Sequence, residues 1–200
     1  MKTPFITLLL FTILSFPAVA WESAGKWVEH TAEPDGKFLF QPVTFELPDY
    51  ITTPPRSKVP KWYHWASGGR ELGDYFQVLF GAHDAGILRT TEPSLGHQST
   101  DEEKNEKLRK RLLTRLKRQP KRYKIVDGRF TVASGSTGVL FVEHKEDLQK
   151  SPAGSVDEYV YHLVVFDKGE KFNVTVKLSS QDFATKKKIL NRFLKSISLS

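Results

Sequence analysis

Six histidines, His30, His64, His83, His97, His144 and His162, are the side chains of this sequence best suited to proton transfer or metal ligation near neutral pH. None stands in an H-E-x-x-H pattern on a helix. Cysteine is absent, and no second cluster completes a set of four zinc ligands. His83-Asp84 and His144-Lys145-Glu146 could each supply half of a site. One alternative is therefore a periplasmic or secreted hydrolase built from the dispersed His83, Asp84 and His144, although scattered structural or surface histidines account for the same residues more simply. Gly135-Ser136-Thr137-Gly138 does not fit the G-x-S-x-G nucleophile elbow, and it lies between two strand patterns where the elbow needs a strand and then a helix. There is no P-loop and no G-x-G-x-x-G. No reaction, cofactor or metal is implied, and the reading leans away from an enzyme.

Two features suit binding better than catalysis. Trp62, Tyr63, His64 and Trp65 form an aromatic cluster in a stretch rich in proline and glycine. Flat rings in a loop offer a ligand large contact area at low entropic cost. The same rings could instead fold back and plug the edge of the core. Between Lys104 and Lys124 there are eleven Lys and Arg residues against a single acid, Glu106. Such a run is either a solvated helix face or a patch for anionic lipid, polyanionic glycan or an acidic partner. Arg109, Lys110, Arg115, Lys117 and Arg118 are the cations through which a polyanion or an anionic membrane surface would be held.

The compartment these residues work in is written at the N-terminus. Met1-Lys2 gives a basic tip, Phe5 to Phe16 is almost wholly apolar, and Pro17 precedes the small-residue exit Ala18-Val19-Ala20. That order is the pattern of a cleavable secretory signal over residues 1–20, and the apolar run is too short to span a bilayer. The expected location is the periplasm or the outside of the cell, with the working protein spanning residues 21–200 as one domain. No nucleic acid is expected as a partner there, while peripheral contact with a membrane remains open. Loss of Lys2 with the leader lowers the formal charge from +7 to +6. The absence of cysteine excludes disulfides and a lipid-linked N-terminal cysteine, so the fold rests on its apolar core, which a domain of about 180 residues can build. Asn173-Val174-Thr175 matches a glycosylation sequon, with chance the simpler explanation.

The elements that must position these residues follow from periodicity. Residues 21–36 are polar and are expected to form an N-terminal extension. Phe38 and Phe40, then Val43, Phe45 and Leu47, alternate with polar residues, and Pro42 interrupts the pattern, so two short strands or one strand at a sheet edge are expected. Residues 48–74 are expected as a long irregular connection, followed by a strand over Tyr75–Phe80 and a short return strand over Ile87–Thr91. Thr100-x-x-Glu103 is a capping box that opens a helix with the stripe Leu108, Leu112, Leu116, stopped by Pro120. Strands follow at Tyr123–Val126, Arg129–Ala133 and Gly138–His144, with residues 145–157 expected as loop. Glu158–Phe166 is apolar on both faces and is expected as a central, doubly covered strand. In Lys171–Leu178 the residues Phe172, Val174, Val176 and Leu178 point inward. A second capping box at Ser179-Ser180-Gln181-Asp182 is expected to open a last helix, with Phe183, Ile189, Leu190, Phe193, Leu194 and Ile197 on its apolar side and Lys186, Lys187 and Lys188 mainly on the other or at its rim. The fold class is α+β: an antiparallel sheet flanked by helices, with a C-terminal amphipathic helix packed on it.

The closing stretch YVYHLVVFDKGEKFNVTVKLSSQDFATKKKILNRFLKSISLS is similar to the end of PsbP/Mog1-like domains, in which a last strand runs into a helix with a tail like Phe193-Leu194-Lys195-Ser196-Ile197. The opening FLFQPVTFELPDYI resembles their first hairpin. The proline-rich 48–74 stretch and the basic 104–124 segment depart from that pattern. The resemblance implies an antiparallel sheet flanked by helices in a binding or assembly factor, and it transfers no functional residue. The expectation is an exported, non-enzymatic binding or accessory protein whose partner is a protein or an anionic envelope component.

Overall fold

Strands and helices follow one another along the chain in the order β1 Trp27–Ala32, β2 Val43–Pro48, β3 His64–Gly69, β4 Asp74–Phe80, α1 Asp101–Leu116, β5 Tyr123–Ile125, β6 Phe130–Thr131, β7 Thr137–Ser151, β8 Gly154–Asp167, β9 Glu170–Ser179, α2 Phe183–Ser196 and β10 Ser198–Leu199. The computed structural model describes residues 25–34, 39, 41–53, 64–69, 73–81, 99–118, 123–125, 128–151 and 154–200. The leader at 1–20, Trp62, Tyr63, His83, Asp84, His97 and the strand expected at 87–91 lie outside them.

The large sheet runs β3-β4-β9-β8-β7-β5, every pair antiparallel, with β6 on β7. A second sheet runs β1-β2-β10. Alternation along β7 divides the molecule into layers. Leu140 and Val142 face the main core, with Tyr161, Leu163 and Val165 of β8 and the inward residues of β9, α2 and the small sheet. Val139 and Phe141 face the other way, where Val164 and the helix residues Leu108 and Leu112 meet them. The large sheet is thus covered by α1 on one face and by α2 with the small sheet on the other. The α+β class and the doubly covered central strand, β8, are as expected from the pattern.

Four local expectations are corrected. Residues 27–32 are not an extension but β1, which pairs with β2 from Trp27↔Pro48 to Ala32↔Val43. β2 is therefore not an edge, since β10 holds its other side. Within the expected 48–74 connection, residues 64–69 are a strand paired with β4. The expected 145–157 loop is the end of a long hairpin, paired from Val139↔Val164 out to Ser151↔Gly154 with an irregularity between Lys145 and Gln149. Asn173 and Thr175 sit mid-strand in β9 at 4% and 1% exposure, so the sequon is sealed inside the sheet.

The first capping box forms as expected. Thr100 N donates to Glu103 Oε2 at 3.0 Å, and Glu103 N donates to Thr100 Oγ1 at 3.2 Å. The second does not. Asp182 takes the N-cap place in a left-handed conformation without a side-chain cap, because the serine hydroxyls are committed elsewhere. Ser180 Oγ accepts from Asp157 N, and Ser179 Oγ accepts from Tyr75 N and Lys186 Nζ. Near the start of β7, Gly138 has no room for a side chain: a Cβ there would lie 2.2 Å from the Val164 carbonyl oxygen.

Candidate functional site

Polar clamps position α1. Asn105 Oδ1 accepts from Phe166 N at 2.9 Å, and its Nδ2 donates to Phe166 O at 3.1 Å. Pairing between β7 and β8 ends at Val139↔Val164, so Asn105 satisfies main-chain groups the neighbouring strand does not reach. One turn earlier, the Asp101 carboxylate accepts from Gly169 N in the β8–β9 turn. With Leu108 and Leu112 buried on the sheet, these contacts fix which face of the helix meets water.

That outer face carries Glu102 and Glu103 in the first turn, then Lys107, Lys110, Thr114, Lys117 and Arg118, all exposed. Lys110 is 72% exposed and stands 3.9 Å from Glu106. Lys117 and Arg118 form no ion pair among the described residues. Arg109 has a different place. Its guanidinium donates twice to Glu106, at 2.8 and 2.9 Å, and Arg129 reaches the same carboxylate at 3.1 Å. Those bonds, Arg109 first, hold the Glu106 pKa down at about 2. The group lines a cleft of about 490 Å³ between α1 and the β6–β7 turn, together with Asp101, Glu102 and Asp167. Arg115 belongs to the same helix. Of the sequence's five candidate cations, Lys110, Lys117 and Arg118 share the open face, while Arg109 is committed to an internal pair.

The aromatic candidate is divided. Trp65 is 4% exposed and belongs to the core. Its ring meets Phe45 edge-on at 4.8 Å and Phe80 at 5.5 Å, and Phe45 in turn meets Phe193 of α2 at 5.6 Å. His64 precedes it on β3 and is half-buried. A Trp65→Ala variant is expected to lose about 3–5 kcal/mol of stability, read as a lower denaturant midpoint. Unchanged stability would contradict the core placement of the ring.

His30 lies on the same aromatic group, stacked on Phe45 at 5.6 Å and edge-on to Trp65 at 6.0 Å. Its Nε2 is buried with no hydrogen-bond partner among the described residues. The nearby charges Glu29, Glu46 and Arg192 lie on the opposite face of the small sheet, where Arg192 pairs with Glu46 at 3.0 Å. Burial lowers the His30 pKa below the ordinary 6.5. The unfolded chain therefore takes up this proton first, and stability is lost as the pH falls from 6.5 towards the folded-state value. The melting temperature of the protein is expected to drop more between neutral and mildly acidic pH than that of His30→Phe. Equal drops would contradict this.

His144 pairs with Asp157, Nε2 to Oδ2 at 2.9 Å, and stacks on Tyr159 at 4.5 Å. Sequence reading missed this partner, because residues 13 apart meet only once the β7–β8 register is set. Among the described residues, no group of three or more His, Asp or Glu side chains is arranged to hold a metal ion. Ser136, in the turn, donates to Asp167.

The least expected residue is Lys186. Its side chain is fully buried, where the sequence placed it on the polar side or rim of the helix. Its ammonium donates to the Asp74 carboxylate, to Ser179 Oγ at 2.6 Å and to Gln181 O at 2.7 Å, so all three donors are used. Burial pushes its pKa down, and Asp74 pulls it back up. A Ser–Lys contact can serve nucleophilic chemistry, but Ser179 and Lys186 are both at 0% exposure and no substrate reaches them. The network continues from Ser179 through Tyr75, whose Oη donates to Glu158 at 2.6 Å, to Lys145, which reaches Glu158 at 3.2 Å. Four strands and α2 are tied together by buried polar bonds.

No protein-family model matches the chain, and no curated protein matches it. Solved structures do. One is LpqN of Mycobacterium tuberculosis, involved in cell envelope biogenesis, at 11% identity and a TM-score of 0.45, covering 88% of this chain and 92% of that one. The Ran-binding protein Mog1p of Saccharomyces cerevisiae matches at 9% identity and a TM-score of 0.37, covering 87% and 96%. A point mutant of Mog1 matches at the same identity and TM-score, covering 86% and 96%. At this level of similarity the matches say nothing of what this chain binds.

Proposed function

We propose that the chain is an exported binding or accessory protein that holds an acidic partner or an anionic envelope component on the outer face of α1. The observation that carries this reading is the division of that helix. Asn105, Leu108 and Leu112 are buried, while Lys110, Lys117 and Arg118 stand in water and no described acid neutralises the last two. A helix held in place by its other side is a rigid mount for charge, which favours recognition at little ordering cost. Export rests on the basic-apolar-small pattern of residues 1–20, and no described helix is long and apolar enough to cross a membrane. Trp62 and Tyr63 are the members of the aromatic cluster left for a second contact, since Trp65 belongs to the core.

The test is co-sedimentation of the purified protein with envelope from its source, compared with a Lys110→Glu/Lys117→Glu/Arg118→Glu variant. All three sites are exposed, so stability should change by no more than about 0.5 kcal/mol at each. Bound protein is expected to fall at least roughly tenfold, from reversed charge and lost contacts. A variant that sediments like the parent contradicts the proposal.

A further inference from the structure

Lys107, Lys110 and Thr114 recur at three- and four-residue spacing on one face of α1, and the adjacent Lys117 and Arg118 follow in the turn after Leu116. At a rise of about 1.5 Å per residue, Lys107 and Lys110 stand about 5 Å apart along the axis, and the Lys117–Arg118 pair lies about 10 Å beyond Lys110. Glu102 and Glu103 close that outer face at its N-terminal end. Its exposed described residues are all charged or polar, and the apolar side of the helix is already spent on the sheet.

We infer that the occupant of this face is a linear anionic polysaccharide, lying along the helix axis with successive carboxylate or sulfate groups on Lys107, Lys110, Lys117 and Arg118. This rests on the reading that the outer face of α1 is the docking surface. Three observations choose the polymer. An exposed cation holds one small anion only weakly, so a lone phosphate or acetate gains little, whereas a chain adds several weak contacts in series. A membrane-surface helix inserts an apolar face between lipids, and the buried apolar residues described in this helix, Leu108 and Leu112, are spent on the sheet. Arg109, which lines the cleft, already donates to a carboxylate of its own chain, Glu106, which leaves the outer face as the open anion track. Arg129, 67% exposed, is bound to the same carboxylate and lines the cleft with it.

The probe is a heparin octasaccharide, titrated into the full mature protein at about 50 and about 200 mM salt. Four ionic contacts predict an affinity that falls roughly 10²-fold between those concentrations, by release of counterions. A heparin disaccharide should bind at least about tenfold more weakly, since it spans one or two cations. The Lys110→Glu/Lys117→Glu/Arg118→Glu variant should lose octasaccharide binding while keeping its melting temperature. Vesicles carrying anionic lipid should bind more weakly than the octasaccharide. Salt-independent binding, equal affinity for the disaccharide, full binding by the variant, or preference for the vesicles each overturns the polysaccharide assignment. If the octasaccharide fails while the same variant still loses envelope binding, only the polysaccharide falls and the docking face stands. If the variant keeps envelope binding as well, both fall.

Discussion

A chain ended after Asp182 is expected to give no folded protein. The lost segment carries Ile189, Leu190, Phe193, Leu194, Ile197 and Leu199, each at most 5% exposed. At about 1.5–3 kcal/mol for each buried side chain, their removal costs roughly 9–18 kcal/mol, as much as the whole stability of about 5–15 kcal/mol of an ordinary domain. The damage extends beyond area. β10 leaves the edge of β2, Ala133 N loses the Ile197 carbonyl, and the rings of Phe45 and Phe80 lose Phe193. Asp74 and Ser179 lose the ammonium that joins them. The check is soluble yield and thermal melting of residues 21–182. A sharp cooperative transition in that fragment would refute the three-layer packing.

Asp74→Ala is expected to be the most costly single polar change. Lys186 would keep a fully buried charge without the carboxylate it is bonded to, and stranding one member of a buried pair costs about 3–5 kcal/mol. Replacing both partners, as Asp74→Asn with Lys186→Met, should recover much of that loss, because an uncharged pair has no buried charge to satisfy. Urea unfolding of the two single variants and the double variant measures the coupling directly. Additive losses, with no recovery in the double variant, would show that the two residues act separately and that the ion pair is not what holds α2 to β4.

The legible parts of the fold are those in which pattern and burial agree. β9 alternates cleanly, β8 is apolar on both faces, and α2 carries a stripe wide enough to cross the core. The capping box of α1 is local chemistry, so its four residues suffice to reveal it. Other elements owe their structure to partners distant in sequence. β1 hides because His30 stands at an inward position and interrupts the apolar alternation of Val28 and Ala32. β3, with the sequence HWASGG, has only Trp65 as a strong strand former and is extended because β4 pairs with it. The tip of the β7–β8 hairpin is polar and reads as loop, yet the register of the central strands carries it outward.

The candidate site was legible in the same uneven way. A basic run on a helix announces itself, but composition cannot tell which cations are neutralised. Arg109 and Lys110 are adjacent in sequence, and only the first is locked onto Glu106 at close range. Trp65 and Trp62 look equivalent as loop aromatics until pairing with β4 turns the first into the core. Lys186 looks like one of three helix lysines, and only the position of Asp74 on a neighbouring strand makes its burial tolerable.

Hydrogen exchange of residues 21–200, free and mixed with an envelope fraction from the source, tests the central claim most directly. Slowed exchange over residues 107–118, with the rest of the chain unchanged, is the predicted footprint. Unaltered exchange in that segment, with protection over residues 61–65 or at the tip of the β7–β8 hairpin, would contradict it.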